Sequence, residues 1–143
     1  MKLLIVVTFI LDQLAKHWVN KELIPGEKRK PFSKLVITNV KNEGMAFGAF
    51  SDNRPLVLVL SAFGIISLWH MYKQSSSGAE KLGAALIAGG GLSNIYDRAT
   101  KGCVTDYVYI ESKRNTPVFN LADIFIIIGC LIAFISRIGK KHG

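Results

Sequence analysis

Cysteine and histidine are scarce in this chain of 143 residues, which has two of the first and three of the second. The two cysteines form no C-x-x-C pair, and Cys130 lies in an apolar run where a structural disulfide to a loop is not expected. The histidines have no metal-ligand spacing with one another or with cysteine. We therefore predict no structural metal, no metal-activated water and no cofactor.

Acidic residues are also few, with 10 Asp and Glu against 18 Lys and Arg, for a net charge of +8. The basic residues avoid the apolar runs and do not interleave with aromatic residues, so nucleic acid is not an expected partner. Charges at the ends of apolar runs instead fit the anionic headgroups of membrane lipids. Because half of the residues are hydrophobic and 20% are charged, disorder is excluded, and the length favours a single domain over 1–143.

Long apolar runs are abundant, and four of them approach the roughly 20 residues that a helix needs to cross a membrane. The second run has no Asp, Glu, Lys or Arg over 55–72, which is longer than the core of a soluble domain usually requires. The first run lacks the small-x-small cleavage site of a signal peptide, so we predict a retained helix. The expected fold is an all-α membrane protein with four transmembrane helices, at about 2–20, 55–73, 81–98 and 119–137.

The connection between the first two runs is too long for a simple turn. Within it, KLVITNV at 34–40 is β-prone, and Gly44, Gly48 and Phe50 mark bends in a second strand. We therefore predict a small sheet at the membrane surface over about 26–50. Four spans place both termini on one side, and the short basic tail favours the cytoplasm for that side. Most basic residues fall on the other side, so charge alone does not decide the orientation.

Asp123 lies inside the fourth apolar run, five residues after Val118. An ionised Asp in a transmembrane segment costs at least about 2.5 kcal/mol on insertion scales, so such residues usually have a function. The alternative is a helix cap, because Asn120 and Asp123 have the spacing of a capping box and an acid in the first turn suits the helix dipole. From the sequence, both interpretations remain open.

A second polar cluster is GGGLSNIYDR at 89–98. Its glycines allow a neighbouring helix to approach closely. Asn94, Asp97 and Arg98 are spaced so that we expect all three side chains on one face. The alternative is the end of a helix at the membrane surface, with Arg98 extended toward the headgroups.

Asp106 follows in the extended segment VTDYV, where the alternative to a functional role is an exposed acid in a turn. If this strand folds back over the ends of the third and fourth spans, the carboxyl groups of Asp106 and Asp123 meet. Two carboxylates close together cannot both ionise easily, so the pair shares one proton. An ionised acid that activates water, beside a neutral acid that protonates a carbonyl oxygen, is the arrangement of aspartic proteases.

Two shorter motifs carry the remaining polar residues of interest. Asp12 and Lys16 are four residues apart in DQLAK, which predicts a local ion pair on the first helix. NEGMAFG at 42–48 is by itself a turn, and its functional interpretation is hydrogen bonding to a peptide backbone.

Together these segments resemble lipoprotein signal peptidase, the type II signal peptidase family of bacteria. The resemblance covers nearly the whole chain and rests on DQLAK at 12–16, NEGMAFG at 42–48, GGGLSNIYDR at 89–98, VTDY at 104–107 and FNLAD at 119–123. It implies an aspartyl endopeptidase of the bacterial cytoplasmic membrane, with four spans, an extracytoplasmic β-cradle, both termini in the cytoplasm and an active site near the outer leaflet. The implied substrates are diacylglyceryl-modified prolipoproteins, cut just before the lipidated cysteine.

Carried over residue by residue, the resemblance makes Asp106 and Asp123 the catalytic pair. The residues that it implies for substrate binding or support of the site are Asn42, Gly44, Asn94, Asp97, Arg98 and Asn120. Asp12 and Lys16 match a first-helix motif with a structural role. The resemblance also implies inhibition by globomycin-type compounds, and we expect a monomer. Ser93 and Tyr107 stand where the family usually has Gly and Phe.

Two other functions fit parts of the pattern. A small proton-coupled transporter would use Asp97 and Asp123 as a relay, but it predicts acids near mid-span and short loops. A non-catalytic assembly factor that only binds lipoprotein precursors would carry the same motifs.

Overall fold

The computed structural model describes residues 1–44, 53–75, 77–112 and 116–141. Within these ranges the chain forms four long helices and three strands. In chain order they are α1 (Lys2–Glu22), β1 (Lys28–Arg29), β2 (Leu35–Asn42), α2 (Arg54–Gln74), α3 (Gly78–Lys101), β3 (Val104–Ile110) and α4 (Leu121–Lys141). The four helices lie where the four apolar runs predict spans.

Three of the described helices are long and apolar enough to cross a membrane. They are α1, Pro55–Gln74 of α2 and Leu121–Ile138 of α4, with mean hydropathies of 1.2, 1.7 and 2.3. Large apolar side chains on their surfaces are exposed, among them Leu3, Phe63 and Phe134. Such a surface is unusual for a soluble monomer and is expected against lipid.

The remaining helix, α3, is the central one, because it packs against α1, α2 and α4. Small residues line these contacts. A Cβ built on Gly90 would lie 2.5 Å from the carbonyl oxygen of Ala122, so only glycine lets the first turn of α4 rest this closely on α3. Apart from Glu80 and Lys81 in its first turn, the polar residues of α3 lie in its last three turns, next to the sheet.

The three strands form one antiparallel sheet in the order β1-β2-β3. β2 and β3 occupy the segments predicted to be extended. Their register pairs Val40 with Asp106 and Asn42 with Val104, so the end of β2 lies beside the start of β3. In the predicted bends, Gly44 lies two residues after the end of β2, whereas Gly48 and Phe50 lie outside the described residues.

β3 is closely connected to the helices that precede and follow it. At Gly102 the backbone is left-handed (φ 76°), which turns the chain from the end of α3 directly into β3. Further along, the amide nitrogens of Tyr107 and Val108 donate to the carbonyl oxygen of Phe119 over 2.8 and 2.9 Å. The end of α3, the strand β3 and the first turn of α4 therefore meet at one place.

Candidate active site

A cavity of about 440 Å³ lies at this meeting point, a volume typical of pockets that hold a ligand. Its walls are mostly apolar side chains from α2, α3 and α4, such as Leu60, Ile95 and Ile127. The polar side chains that line it are Asn42, Ser61, Asn94, Arg98, Asp106, Asn120 and Asp123. The strand that carries Asp106 does fold back over the helix ends, and both carboxyl groups line the same cavity.

Asp123 is held in place by the start of its own helix. Asn120 and Asp123 form a reciprocal capping box, in which the Asn120 amide nitrogen donates to Asp123 Oδ2 (3.1 Å) and the Asp123 amide nitrogen donates to Asn120 Oδ1 (2.9 Å). The other carboxylate oxygen, Oδ1, accepts a hydrogen bond from Asn94 Nδ2 (3.0 Å). The two interpretations of Asp123 are thus compatible, because the same carboxylate caps α4 and lines the cavity.

Asp106 is 4% exposed and also accepts hydrogen bonds on both carboxylate oxygens. Asn120 Nδ2 donates to Oδ1 (2.7 Å), and Asn42 Nδ2 donates to Oδ2 (2.9 Å). Burial raises the pKa of Asp106 to about 6, the negative charge of Asp123 adds to the rise, and the two amide donors oppose it. Asn120 therefore contacts both acids, and burial favours the neutral form of Asp106.

The segment after β2 is tied to the cavity by backbone contacts of Gly44. Its amide nitrogen donates to Asn42 Oδ1 (3.0 Å), and its carbonyl oxygen accepts from Arg98 Nη2 (2.8 Å). Asn42 and Gly44 are thus brought to the acids, and Arg98 links them to α3. The rest of NEGMAFG, residues 45–48, lies outside the described part of the chain.

Behind the cavity, α1 and α3 share a buried charge cluster made of Asp12, Lys16 and Asp97. All three side chains are 0% exposed. Lys16 Nζ lies 2.6 Å from Asp12 Oδ2 and 2.8 Å from Asp97 Oδ2. The ion pair predicted between Asp12 and Lys16 is therefore present, and Asp97 extends it.

Of the three residues of α3 that were expected on one face, Asp97 does not line the cavity. Asn94 and Arg98 line the cavity, whereas Asp97 faces α1 and also contacts Lys101 Nζ (2.6 Å) and Gln13 Nε2 (3.2 Å). Successive residues of an α-helix point about 100° apart, and Asn94 lies between Asp97 and Arg98 on the helix surface. Asn94 therefore shares the contact with Lys16 with Asp97 and the cavity with Arg98.

The first turn of α4 receives acceptors from two other elements. The amide nitrogen of Ala122 donates to Asp12 Oδ1 (2.9 Å), and that of Leu121 donates to the hydroxyl oxygen of Tyr107 (3.0 Å). Burial raises the pKa of Tyr107, so its hydroxyl stays neutral. These acceptors satisfy amide groups that a helix start leaves free and fix the position of Asp123.

Within the described ranges, no group of three or more His, Cys, Asp or Glu side chains is placed to hold a metal ion. What the cavity does offer is two carboxyl groups and several amide donors beside an apolar wall. A pair of acids in which one is partly neutral near pH 6 can both donate and accept a proton. The same pair carries the resemblance noted from the sequence.

The family model of signal peptidase (SPase) II, Peptidase_A8, matches residues 4–138. The chain belongs to the signal peptidase II family. Among curated relatives of this family, the lipoprotein signal peptidase of Lactococcus lactis subsp. cremoris (strain SK11) is 34% identical over 141 residues, covering 97% of this chain and 93% of that protein. The corresponding protein of Caldicellulosiruptor bescii is 36% identical over 130 residues, covering 91% and 85%.

The fold is also that of known bacterial membrane enzymes. A structure described as a bacterial membrane enzyme, solved by the in meso method at 2.3 Å resolution, superposes with a TM-score of 0.90 at 24% identity, covering 97% of this chain and 87% of that one. A second such structure, at 1.9 Å resolution, gives a TM-score of 0.85 at 24% identity, covering 94% and 90%. At this identity the likeness concerns the fold alone.

Tyr107 and Ser93 are the two residues noted above as departures from the signal peptidase II pattern. Each of them supplies a polar contact that the sequence did not predict. Tyr107 provides the hydroxyl that accepts from Leu121. Ser93 Oγ donates to Asp12 Oδ2 (2.6 Å) and accepts from Gln13 Nε2 (2.8 Å). The sequence did contain a signal for these contacts, because Ser in place of Gly and Tyr in place of Phe each add a hydroxyl next to a charged motif.

Proposed function

We propose that this signal peptidase II is an aspartyl endopeptidase that removes the signal peptide from diacylglyceryl-modified prolipoproteins, cutting before the lipidated cysteine. Asp106 and Asp123 are the catalytic pair. The observation that carries this assignment is that both carboxyl groups line one cavity and that Asn120 contacts both of them.

In this proposal Asp106 is the general acid and Asp123 is the general base. The raised pKa of Asp106, about 6, supports the first role. The ammonium of Lys16, one hydrogen bond behind Asn94, supports a negative charge on Asp123. Asp123 takes a proton from water, the water oxygen adds to the peptide carbonyl carbon, and Asp106 protonates the carbonyl oxygen. As the C–N bond of the tetrahedral diol breaks, Asp106 takes a proton back from one hydroxyl and Asp123 gives its proton to the leaving amine, so both acids return to their starting states.

The surrounding polar residues have supporting roles in this proposal. Asn42, Asn94 and Asn120 hold the two carboxyl groups, and Arg98 with Gly44 offers donors and a backbone edge to an extended peptide. Asp97, Asp12 and Lys16 support the site from behind the cavity. The apolar wall suits a lipid-modified substrate, and globomycin-type compounds are expected to compete for the same space.

We further propose a single integral membrane domain with four spans, in which α3 is the fourth. The cavity lies at the end of the helices that is next to the sheet. In this proposal the acids therefore lie at the boundary between lipid and water, where water has access. Both termini are then in the cytoplasm, the sheet belongs to an extracytoplasmic β-cradle, and the site faces the outer leaflet of the bacterial cytoplasmic membrane. The protein acts as a monomer.

The test is cleavage of a purified diacylglyceryl-modified precursor in detergent, followed as a gel shift. Wild-type protein is expected to cleave it and to be inhibited by globomycin, whereas Asp106→Asn and Asp123→Asn are expected to be inactive. Glu111→Gln is the matched control, because it removes an exposed carboxylate that pairs with Lys30 at the surface. Normal cleavage by either Asp variant would overturn the assignment, and a wild-type protein that binds but never cleaves the precursor would favour an assembly factor.

A further inference from the structure

The ammonium group of Lys16 has three close partners. Lys16 is 0% exposed, and its Nζ forms ion pairs with Asp12 Oδ2 (2.6 Å) and Asp97 Oδ2 (2.8 Å) and donates a hydrogen bond to Asn94 Oδ1 (2.8 Å). A lysine ammonium has donors and no acceptor. The two ion pairs and the hydrogen bond to Asn94 together fix its position.

Asn94 stands between Lys16 and the proposed catalytic base. Its amide oxygen accepts from Lys16 Nζ and from Asn120 Nδ2 (3.3 Å), and its amide nitrogen donates to Asp123 Oδ1 (3.0 Å). If the amide turned by 180°, its NH₂ group would point at an ammonium and its oxygen at a carboxylate. Both contacts would then be repulsive, since neither partner can reverse its role.

We propose that Lys16 is a positioning residue for the hydrolytic reaction, which orients the Asn94 amide so that its NH₂ group holds the carboxylate of Asp123 toward the cavity. The inference rests on the proposed roles of Asp106 and Asp123. It differs from a structural ion pair, because it predicts that the effect of Lys16 on the reaction passes through Asn94 and not through Asp12, which accepts from Ala122 in the first turn of α4. Without Lys16, a fraction of the molecules presents the amide oxygen to Asp123 and loses the contact.

The test compares kcat and KM for precursor cleavage by wild-type protein, Lys16→Met, Asn94→Ala and the double variant. We expect kcat of Lys16→Met to fall at least about tenfold, with KM nearly unchanged because Lys16 does not line the cavity. In the Asn94→Ala background, Lys16→Met should cause no further fall, because the amide that it orients is gone.

Ser93→Ala is the matched control within the same buried region. Among the described residues, the Ser93 hydroxyl bonds to Asp12 and Gln13 and not to the catalytic pair. We expect this variant to lower the melting temperature while leaving kcat unchanged. A general loss of packing behind the cavity would instead lower kcat in both Ser93→Ala and Lys16→Met.

Removing Lys16 leaves two buried carboxylates without their shared counter-charge, which can prevent folding. If Lys16→Met does not fold, Asp97→Asn is included in every protein of the comparison, so that one negative charge is removed together with the positive one. If Asn94→Ala has no measurable turnover, the kcat of Lys16→Met relative to that of Ser93→Ala decides the question.

Three results would overturn the inference. These are an equal loss of kcat from Lys16→Met in both Asn94 backgrounds, a change confined to KM, and a kcat that stays within about threefold of wild type. Failure of the proposed function is distinguishable, because in that case the wild-type protein itself does not cleave the precursor.

Discussion

Replacing Asp106 by Asn should stabilise the folded protein at neutral pH even though it abolishes cleavage. Burial, with the charge of Asp123 adding to it, raises the pKa of Asp106 from 3.8 to about 6. The folded state therefore resists ionisation of a group that ionises freely in the unfolded state. The stability of the wild-type protein falls as the pH rises from about 4 to about 6, and Asp106→Asn lacks this fall.

The size of the effect follows from the two pKa values. Each pH unit between them corresponds to about 1.36 kcal/mol, so the destabilisation approaches about 3 kcal/mol above pH 6. An Asn at position 106 keeps an oxygen for Asn120 Nδ2 but points an NH₂ group at Asn42 Nδ2, which costs about 1 kcal/mol at every pH. The variant is thus expected to be about 2 kcal/mol more stable than wild type at pH 8 and about 1 kcal/mol less stable at pH 4.

Thermal unfolding in detergent, followed by the fluorescence of Trp18 and Trp69, measures this difference between pH 4 and pH 8. The matched control is Glu111→Gln, whose exposed ion pair with Lys30 is worth less than about 1 kcal/mol. Its stability relative to wild type should stay constant between pH 5 and pH 8. If the stability difference between Asp106→Asn and wild type does not grow with pH, ionisation of Asp106 does not destabilise the folded protein and the prediction is wrong.

Three further variants test separate contacts. Asn120→Ala removes the side chain that accepts from the Asp123 amide nitrogen at the start of α4 and donates to the Asp106 carboxylate, so unfolding should show a loss of about 1–2 kcal/mol and kcat should fall at least about tenfold. Gly90→Ala places a Cβ 2.5 Å from the Ala122 oxygen, so α4 must move away from α3. The melting temperature and kcat should therefore both fall, and values equal to those of wild type would contradict this. Tyr107→Phe removes the acceptor of Leu121 and should lower stability by about 1 kcal/mol, with a smaller effect on kcat than Asn120→Ala.

The sequence could predict those features that depend on neighbours along the chain. The helices follow from the length of the apolar runs, and β2 and β3 follow from β-branched residues between turns. The capping box of Asn120 and Asp123 and the ion pair of Asp12 and Lys16 follow from spacings of three and four residues. Each of these features requires only that one helix or strand is predicted correctly.

The contacts that hold the site together come from different helices and could not be predicted in this way. Asp12 accepts from the first turn of α4, and Lys16 contacts Asn94 on α3; both depend on how closely glycines let the helices approach. For a related reason, the sequence could not predict that Arg98 lines the cavity and Asp97 does not. Spacing places a residue on a helix surface only to within a quarter of a turn or so, and the choice between cavity and α1 is made by the packing of α1 against α3.

The most direct test of the account is whether Asp106 and Asp123 act as one catalytic unit. Rates of precursor cleavage are compared for wild-type protein, Asp106→Asn, Asp123→Asn and the double variant in one assay. We expect each single variant to lose at least about 10³-fold in kcat, and the double variant to lose no more than either one, because residues that act together are not additive. Wild-type cleavage by a single variant, or losses that multiply in the double variant, would contradict the account.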